Sequence, residues 1–160
     1  MAVTYEAIAT TTLSSATSTV TFSSIPQTYT DLRVVFTGTA NATSAFGLRY
    51  NSDTGANYSY TALYGTGAAV ASIRGSSTTD PANGNIWTTQ SNVTADIMNY
   101  SNSTTYKTAI SRADNAANRT AAWVSLWRST AAITNLQITT TSANTYSIGS
   151  TFTLYGIKAA

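Results

Sequence analysis

Apolar and polar residues alternate along this chain with a period of two, in short runs that recur from one end to the other. Alternation of this kind sends successive side chains to opposite faces of a pleated strand. Asp31–Thr39 sets Leu32, Val34 and Phe36 on one face against Arg33, Val35 and Thr37 on the other. Phe46–Tyr50 turns Phe46, Leu48 and Tyr50 inward, with Gly47 and Arg49 outward. Tyr58–Tyr64 places Tyr58, Tyr60, Ala62 and Tyr64 opposite Ser59, Thr61 and Leu63. The pattern returns in Thr4–Leu13, in Ser18–Phe22 (with Val20 and Phe22 sharing a face), and in Asn92–Tyr100, Thr105–Ala113, Ile133–Thr141 and Thr151–Ile157.

Arg119–Arg128 is the one segment with a helical alternative, because Ala121, Ala122, Leu126 and Trp127 favour helix. Its alternation of Trp123, Ser125 and Trp127 with Ala122, Val124 and Leu126 reads as a core strand. Turn clusters separate the runs: Asn51–Asn57, a longer polar stretch over Gly75–Asn85 carrying Pro81 and Gly84, and the tips Asn99–Thr104 and Ala113–Asn118. No linker, charge run or repeat divides the chain. Strands every roughly 8–12 residues predict one all-β domain over residues 1–160, an antiparallel, jelly-roll-like sandwich of about eight to ten strands.

Composition sharpens this picture. Thirty-two threonines and twenty serines make about a third of the 160 residues hydroxyl-bearing, and β-branched threonine suits strands. Hydrophobic residues are 42% of the chain, with three Trp, ten Tyr and four Phe, which is too apolar for a disordered segment. Only 9% of residues are charged, against about 25% in ordinary globular proteins. The net charge of +2 comes from eight basic residues scattered singly, without the basic stripe that nucleic-acid binding requires. No window is apolar enough for a membrane helix, and the Met1–Glu6 start lacks the basic and apolar regions of a leader, so synthesis and retention in a cytoplasm are expected.

With no histidine and no cysteine, imidazole acid–base chemistry, thiol nucleophiles and His- or Cys-ligated metals are excluded. A carboxylate pair remains the only enzymatic route, drawn from Glu6, Asp31, Asp53, Asp80, Asp96 and Asp114. Asp53, Asp80 and Asp114 stand in turn contexts, where aspartate bonds its own backbone. Asn51, Asp53, Gly55 and Asn57 mimic the spacing of a calcium loop but have one carboxylate and no bidentate glutamate, so a hairpin turn is expected. Six Asn-x-Ser/Thr triplets, at Asn41, Asn57, Asn92, Asn99, Asn102 and Asn118, follow from composition. No catalytic residue, metal or cofactor is therefore assigned. Among the aromatics Tyr58, Tyr60, Tyr64, Trp87, Trp123 and Trp127, the last two read as core. Trp87, in the polar stretch Gly84–Thr88, is expected to be an exposed anchor, with Tyr58 and Tyr60 as further partner contacts.

Three stretches, FSSIPQTYTDLRVVF (22–36), LRYNSDTGANYSY (48–60) and FTLYGIK (152–158), together with 121–138, resemble short all-β virion structural proteins of tailed bacteriophages. The resemblance spans most of the chain in order. It implies a β-sandwich made in the host cytoplasm and carried on the virion surface, as capsid decoration or as a tail-fibre or receptor-binding part. Its partners would be the major capsid protein or tail components, further copies of itself in a homo-oligomer such as a trimer, and a host surface glycan. A free carbohydrate-binding module is the remaining reading. The resemblance carries no catalytic residue; Pro26, Asp53, Gly55, Tyr155 and Gly156 stand in its motifs as fold-forming positions.

Overall fold

The computed structural model describes residues 4–158, so the Met1–Val3 part of the start read above lies outside them. Twelve strands and no helix are present among the described residues. They are β1 (Tyr5–Thr12), β2 (Thr19–Phe22), β3 (Asp31–Gly38), β4 (Ser44–Tyr50), β5 (Tyr58–Gly65), β6 (Val70–Thr78), β7 (Ala82–Ile86), β8 (Ser91–Met98), β9 (Lys107–Asn115), β10 (Arg119–Trp127), β11 (Leu136–Thr139) and β12 (Thr151–Ile157). Every pairing is antiparallel. One sheet has eight strands, in the order β1-β12-β3-β8-β9-β10-β5-β6, and the other has four, β2-β11-β4-β7. The two form a β-sandwich. Setting aside the hairpins β5–β6 and β9–β10 leaves β1-β12-β3-β8 over β2-β11-β4-β7.

The alternation read from sequence fills the space between the sheets. Leu32, Val34 and Phe36 of β3, Phe46 and Leu48 of β4, and Phe152 and Leu154 of β12 are fully buried. Phe36 lies 4.9 Å from Phe152 and 5.4 Å from Phe46, ring centre to ring centre, and Tyr146 meets Phe152 edge-on at 4.8 Å. Interlocked rings of this kind add about 0.5–1.5 kcal/mol per pair beyond the area they bury. Arg119–Trp127 is a strand, with Trp123 and Trp127 inward and Val124 outward.

The strand count exceeds the expected eight to ten, and the excess lies where a loop was expected. Residues 75–85 contain the end of β6 and most of β7. The segment β7 reads Ala-Asn-Gly-Asn-Ile, without β-branched or alternating residues until its last position, because it packs directly on β8, β9 and β10. Only small residues allow that approach: a Cβ on Gly84 would stand 2.9 Å from the Ala113 methyl. Strand β6 has the opposite problem. None of its residues is fully buried, so no face selects an apolar set.

Candidate functional site

The outer face of the eight-stranded sheet divides into two halves. Over β1, β12, β3 and β8 its polar groups pair among themselves. Thr10 and Thr153 hydroxyls meet at 3.1 Å, Thr12 and Thr151 at 3.2 Å, and Thr37 donates to Asn92 at 3.2 Å. Arg33 grips Asp96 through both nitrogens, Nε to Oδ1 at 2.5 Å and Nη2 to Oδ2 at 2.8 Å, and that hydrogen bonding raises the Arg33 pKa further. Over β9, β10, β5 and β6 the same face turns apolar. Val124 stands opposite Ile110, and Ala122 opposite Leu63, in the cross-strand register. Leu63 is 59% exposed, Val70 75%, Ile110 52% and Val124 46%. This wing ends at β6, whose outer edge has no neighbouring strand. Unpaired N–H and C=O groups on such an edge invite another chain.

Strand β10 links two polar constellations, about 27 Å apart at the usual rise per residue. At its Trp127 end, Asp53 is a hub. Its Oδ1 accepts from the Gly55 N–H at 2.8 Å, and its Oδ2 accepts from Asn57 Nδ2 at 2.8 Å and Trp127 Nε1 at 2.7 Å. Partial burial alone would raise the carboxyl pKa, but these three donors outweigh it and hold the value below the ordinary range. The Tyr58 hydroxyl donates to the Asp53 carbonyl at 3.0 Å and accepts from the Tyr50 N–H at 3.3 Å. Burial pushes its pKa up to about 12. Both Asp53 oxygens are thus committed to holding the 51–57 loop, which is not the expected hairpin: β4 and β5, which it joins, lie in different sheets, so the loop crosses between them.

The other acids are similarly engaged. Glu6 meets Lys158 at 3.2 Å, Asp31 accepts from the Asn99 N–H at 2.6 Å, and Asp114 accepts from Thr120 Oγ1 at 2.5 Å. Asp80 differs: it lines a hollow of about 580 Å³ with Arg49, Pro81 and Thr139, and burial raises its pKa, opposed by the Arg49 charge.

At the opposite end of β10 the 66–69, 87–90 and 116–118 turns converge. Buried Asn115 ties two of them together. Its Nδ2 points at Thr89 Oγ1 (2.8 Å) and Gln90 O (2.9 Å), and its Oδ1 accepts from Ala117 N and Asn118 Nδ2. Ser91 Oγ accepts the Trp87 N–H at 3.0 Å, and the Trp87 carbonyl accepts from Ala40 N at 2.8 Å. The Trp87 ring so fixed lies 5.3 Å from the Arg119 guanidinium carbon, and the Tyr64 ring lies 4.5 Å from it. No hydrogen bond or ion pair reaches that guanidinium from the described residues. Arg119 also borders a hollow of about 490 Å³ lined by Gly65, Thr66, Asn92, Asp114, Asn118 and Thr120, among others, in which Asn92, Asp114 and Thr120 belong to the opposite face of the sheet from the Arg119 side chain.

The three aromatic contacts expected from sequence sit elsewhere than anticipated. Trp87 is only 7% exposed: its polar neighbours are strand β7 and a tight turn, and its ring packs inward against Arg119, so it is not an exposed anchor. Tyr58 is buried with its hydroxyl in the Asp53 hub, and half-buried Tyr60 packs on Trp123 at 5.5 Å. They form no common platform. Arg119 was legible only as one of eight scattered bases, since its aromatic partners come from two other strand ends.

No family model, curated protein or solved structure matches this chain.

Proposed function

We propose that the protein is a structural module of a tailed-phage virion, carried on the particle exterior as a capsid decoration protein and seated through the apolar wing. The observation that carries this reading is the wing itself: Leu63, Val70, Ile110 and Val124 are exposed on one face, with Arg112 and Arg74 among them, and that face ends in an open nine-residue strand. Isolated soluble domains rarely leave so many large apolar side chains together, and they protect long edges with charge or proline, of which β6 has only Arg74. The sequence resemblance supplies the setting. Supporting it further, the quoted motifs meet in space: Tyr29 of the first lies on Gly156 of the last, where a Cβ could not fit, and Thr30 N donates to Ile157 O at 2.8 Å. We read the nested eight-strand order as a jelly roll, two interlocked Greek keys, carrying two extra hairpins that build the wing.

Attachment through such a surface rests on apolar burial and neutral main-chain hydrogen bonds, which salt screens poorly. The protein should therefore remain on particles washed in about 1 M NaCl, where the Debye length falls to about 3 Å. Cryo-EM of the particle tests the reading directly. Density for this sandwich on the exterior, wing toward a neighbouring virion protein, is the expected result; absence from the particle, or a wing facing solvent, would refute it. An adhesion role on the tail is the second reading, and the observation that favours it is the hollow beside Arg119 at the loop end, since loop ends of sandwiches commonly carry binding.

A further inference from the structure

We infer that the hollow between Arg49 and Asp80, over the four-stranded sheet, is a binding site for a small zwitterion carrying one ammonium and one carboxylate group. Strand β4 sends Phe46, Leu48 and Tyr50 into the core, so Ala45, Gly47 and Arg49 stand on the outer face of that sheet. Thr139 of β11 is opposite Gly47 in the register and shares the face. Pro81 reaches the same spot from the turn before β7: a Cβ on Gly47 would stand 2.6 Å from Thr139 Oγ1 and 3.1 Å from Pro81 Cγ. Leu48 N donates to Pro81 O at 2.9 Å, which brings the adjoining Asp80 up to the next residue of β4, Arg49. Arg49 and Asp80 line one hollow of about 580 Å³, together with Thr79, Thr139 and Ser142.

The protein answers neither charge. No hydrogen bond or ion pair from the described residues reaches the Arg49 guanidinium or the Asp80 carboxylate, and the two do not pair with each other. Arg49 Nε and Asp80 Oδ1 are sealed from water without a partner, which leaves the two Nη nitrogens and Oδ2 to meet a guest. Burial raises the Asp80 pKa, and the Arg49 charge offsets only part of that rise. Part-buried charges without partners are costly, so two opposite ones fronting a common space suit a guest that answers both. The planar guanidinium fork takes a carboxylate, and Asp80 takes an ammonium. A neutral polyol would leave both charges without a counterion. A divalent cation would meet a single carboxylate beside a repelling guanidinium, and a phosphate dianion would meet the like charge of Asp80. The volume of about 580 Å³ lies within the roughly 300–1,000 Å³ of small-molecule sites.

The hollow lies on the small sheet, across the sandwich from the wing, so this inference stands or falls apart from the assembly reading, which particle incorporation tests. The experiment is a titration of the full chain with glycine, β-alanine and γ-aminobutyrate, whose two charges stand progressively further apart. Acetate, methylammonium and glycerol are the controls, and NMR follows the Arg49 Nε–H and the Asp80 carboxyl carbon. Saturable shifts at both positions are expected with at least one zwitterion. Its binding should be roughly 10-fold or more tighter than that of acetate or methylammonium, the scale of a second charge-assisted contact. Asp80→Asn should weaken that zwitterion to the level of acetate, and Arg49→Gln should weaken it to the level of methylammonium. Each substitution removes a charge that has no partner in the fold, so the rest of the amide spectrum should stay that of the folded chain. No saturable shift with any of the three, acetate, methylammonium or glycerol binding as tightly as the best zwitterion, or indifference to both substitutions would each overturn the assignment.

Discussion

The two halves of the large sheet's outer face are made by the same kind of strand in the same register, yet one is self-sufficient and the other is not. Over β1, β12, β3 and β8 each strand presents hydroxyls or opposite charges to its neighbour: Thr10 to Thr153, Thr37 to Asn92, Arg33 to Asp96. Over β9, β10, β5 and β6 the neighbours are Ile110 with Val124 and Ala122 with Leu63, half in water. At those paired positions the first half gains little from a partner, since its polar groups would lose water without gaining bonds. The second gains about 25 cal/mol for each Å² of apolar surface it hides. The difference teaches that one sandwich can be finished on one side and left for assembly on the other, and that a count of hydroxyl residues does not reveal which side is which.

Substitutions that alternate across β10 should separate folding from association most widely. Trp127 is buried and donates to Asp53, so Trp127→Ala should cost about 3–5 kcal/mol of stability in urea unfolding. Val124, on the wing, should cost the free chain under about 0.5 kcal/mol when changed to Ala or Thr. Comparable losses at the two positions would mean that the wing belongs to the core. Asp53→Asn should cost about 2 kcal/mol near neutral pH, because one acceptor of the hub becomes a donor. Since the folded Asp53 pKa lies below the unfolded value of about 3.9, its contribution is complete above that value. It is lost as pH falls through the folded value, so wild type and Asp53→Asn should converge in acid; a difference that grows on acidification would show the sign to be wrong.

The finished half should respond less. Asp96→Asn breaks a partly exposed bidentate pair and should lower stability by about 0.5–1.5 kcal/mol, with a smaller effect in high salt. Joint replacement of Thr10 and Thr153 by Val should change stability by no more than about 0.5 kcal/mol, since exposed hydroxyls there exchange one another for water. A large loss from the threonine pair would mean that the hydroxyl ladder, and not the core, holds β1 to β12.

Much of the fold was legible because the core strands alternate without interruption: β3, β4, β10 and β12 buried the residues that periodicity assigned to them, except Ile157, also read as buried, which is only half-buried because Gly156 takes the inward position. Strand β7 was not, because close packing on β9 replaces alternation with Ala, Asn and Gly, the residues that also mark turns. Strand β6 was not, because exposure on both faces leaves no pattern. The site was less legible still. Trp87 drew attention for the right reason, an aromatic in a polar stretch, but its role is to hold Arg119. That contact depends on the end of β7, in the other sheet, packing against β10, which no local pattern encodes.

The central claim, that the apolar wing seats the protein in its assembly, is tested most directly by the paired substitution Ile110→Asp and Val124→Asp, scored by incorporation into particles. Both side chains point to solvent in the free chain but stand opposite one another, so the two carboxylates repel; the variant should keep its circular dichroism spectrum and lose about 1–2 kcal/mol of stability. Two carboxylates forced into a dry contact cost several kcal/mol, so occupancy on purified particles should fall by at least about 100-fold. Wild-type copy number of this folded variant on the particle would contradict the claim.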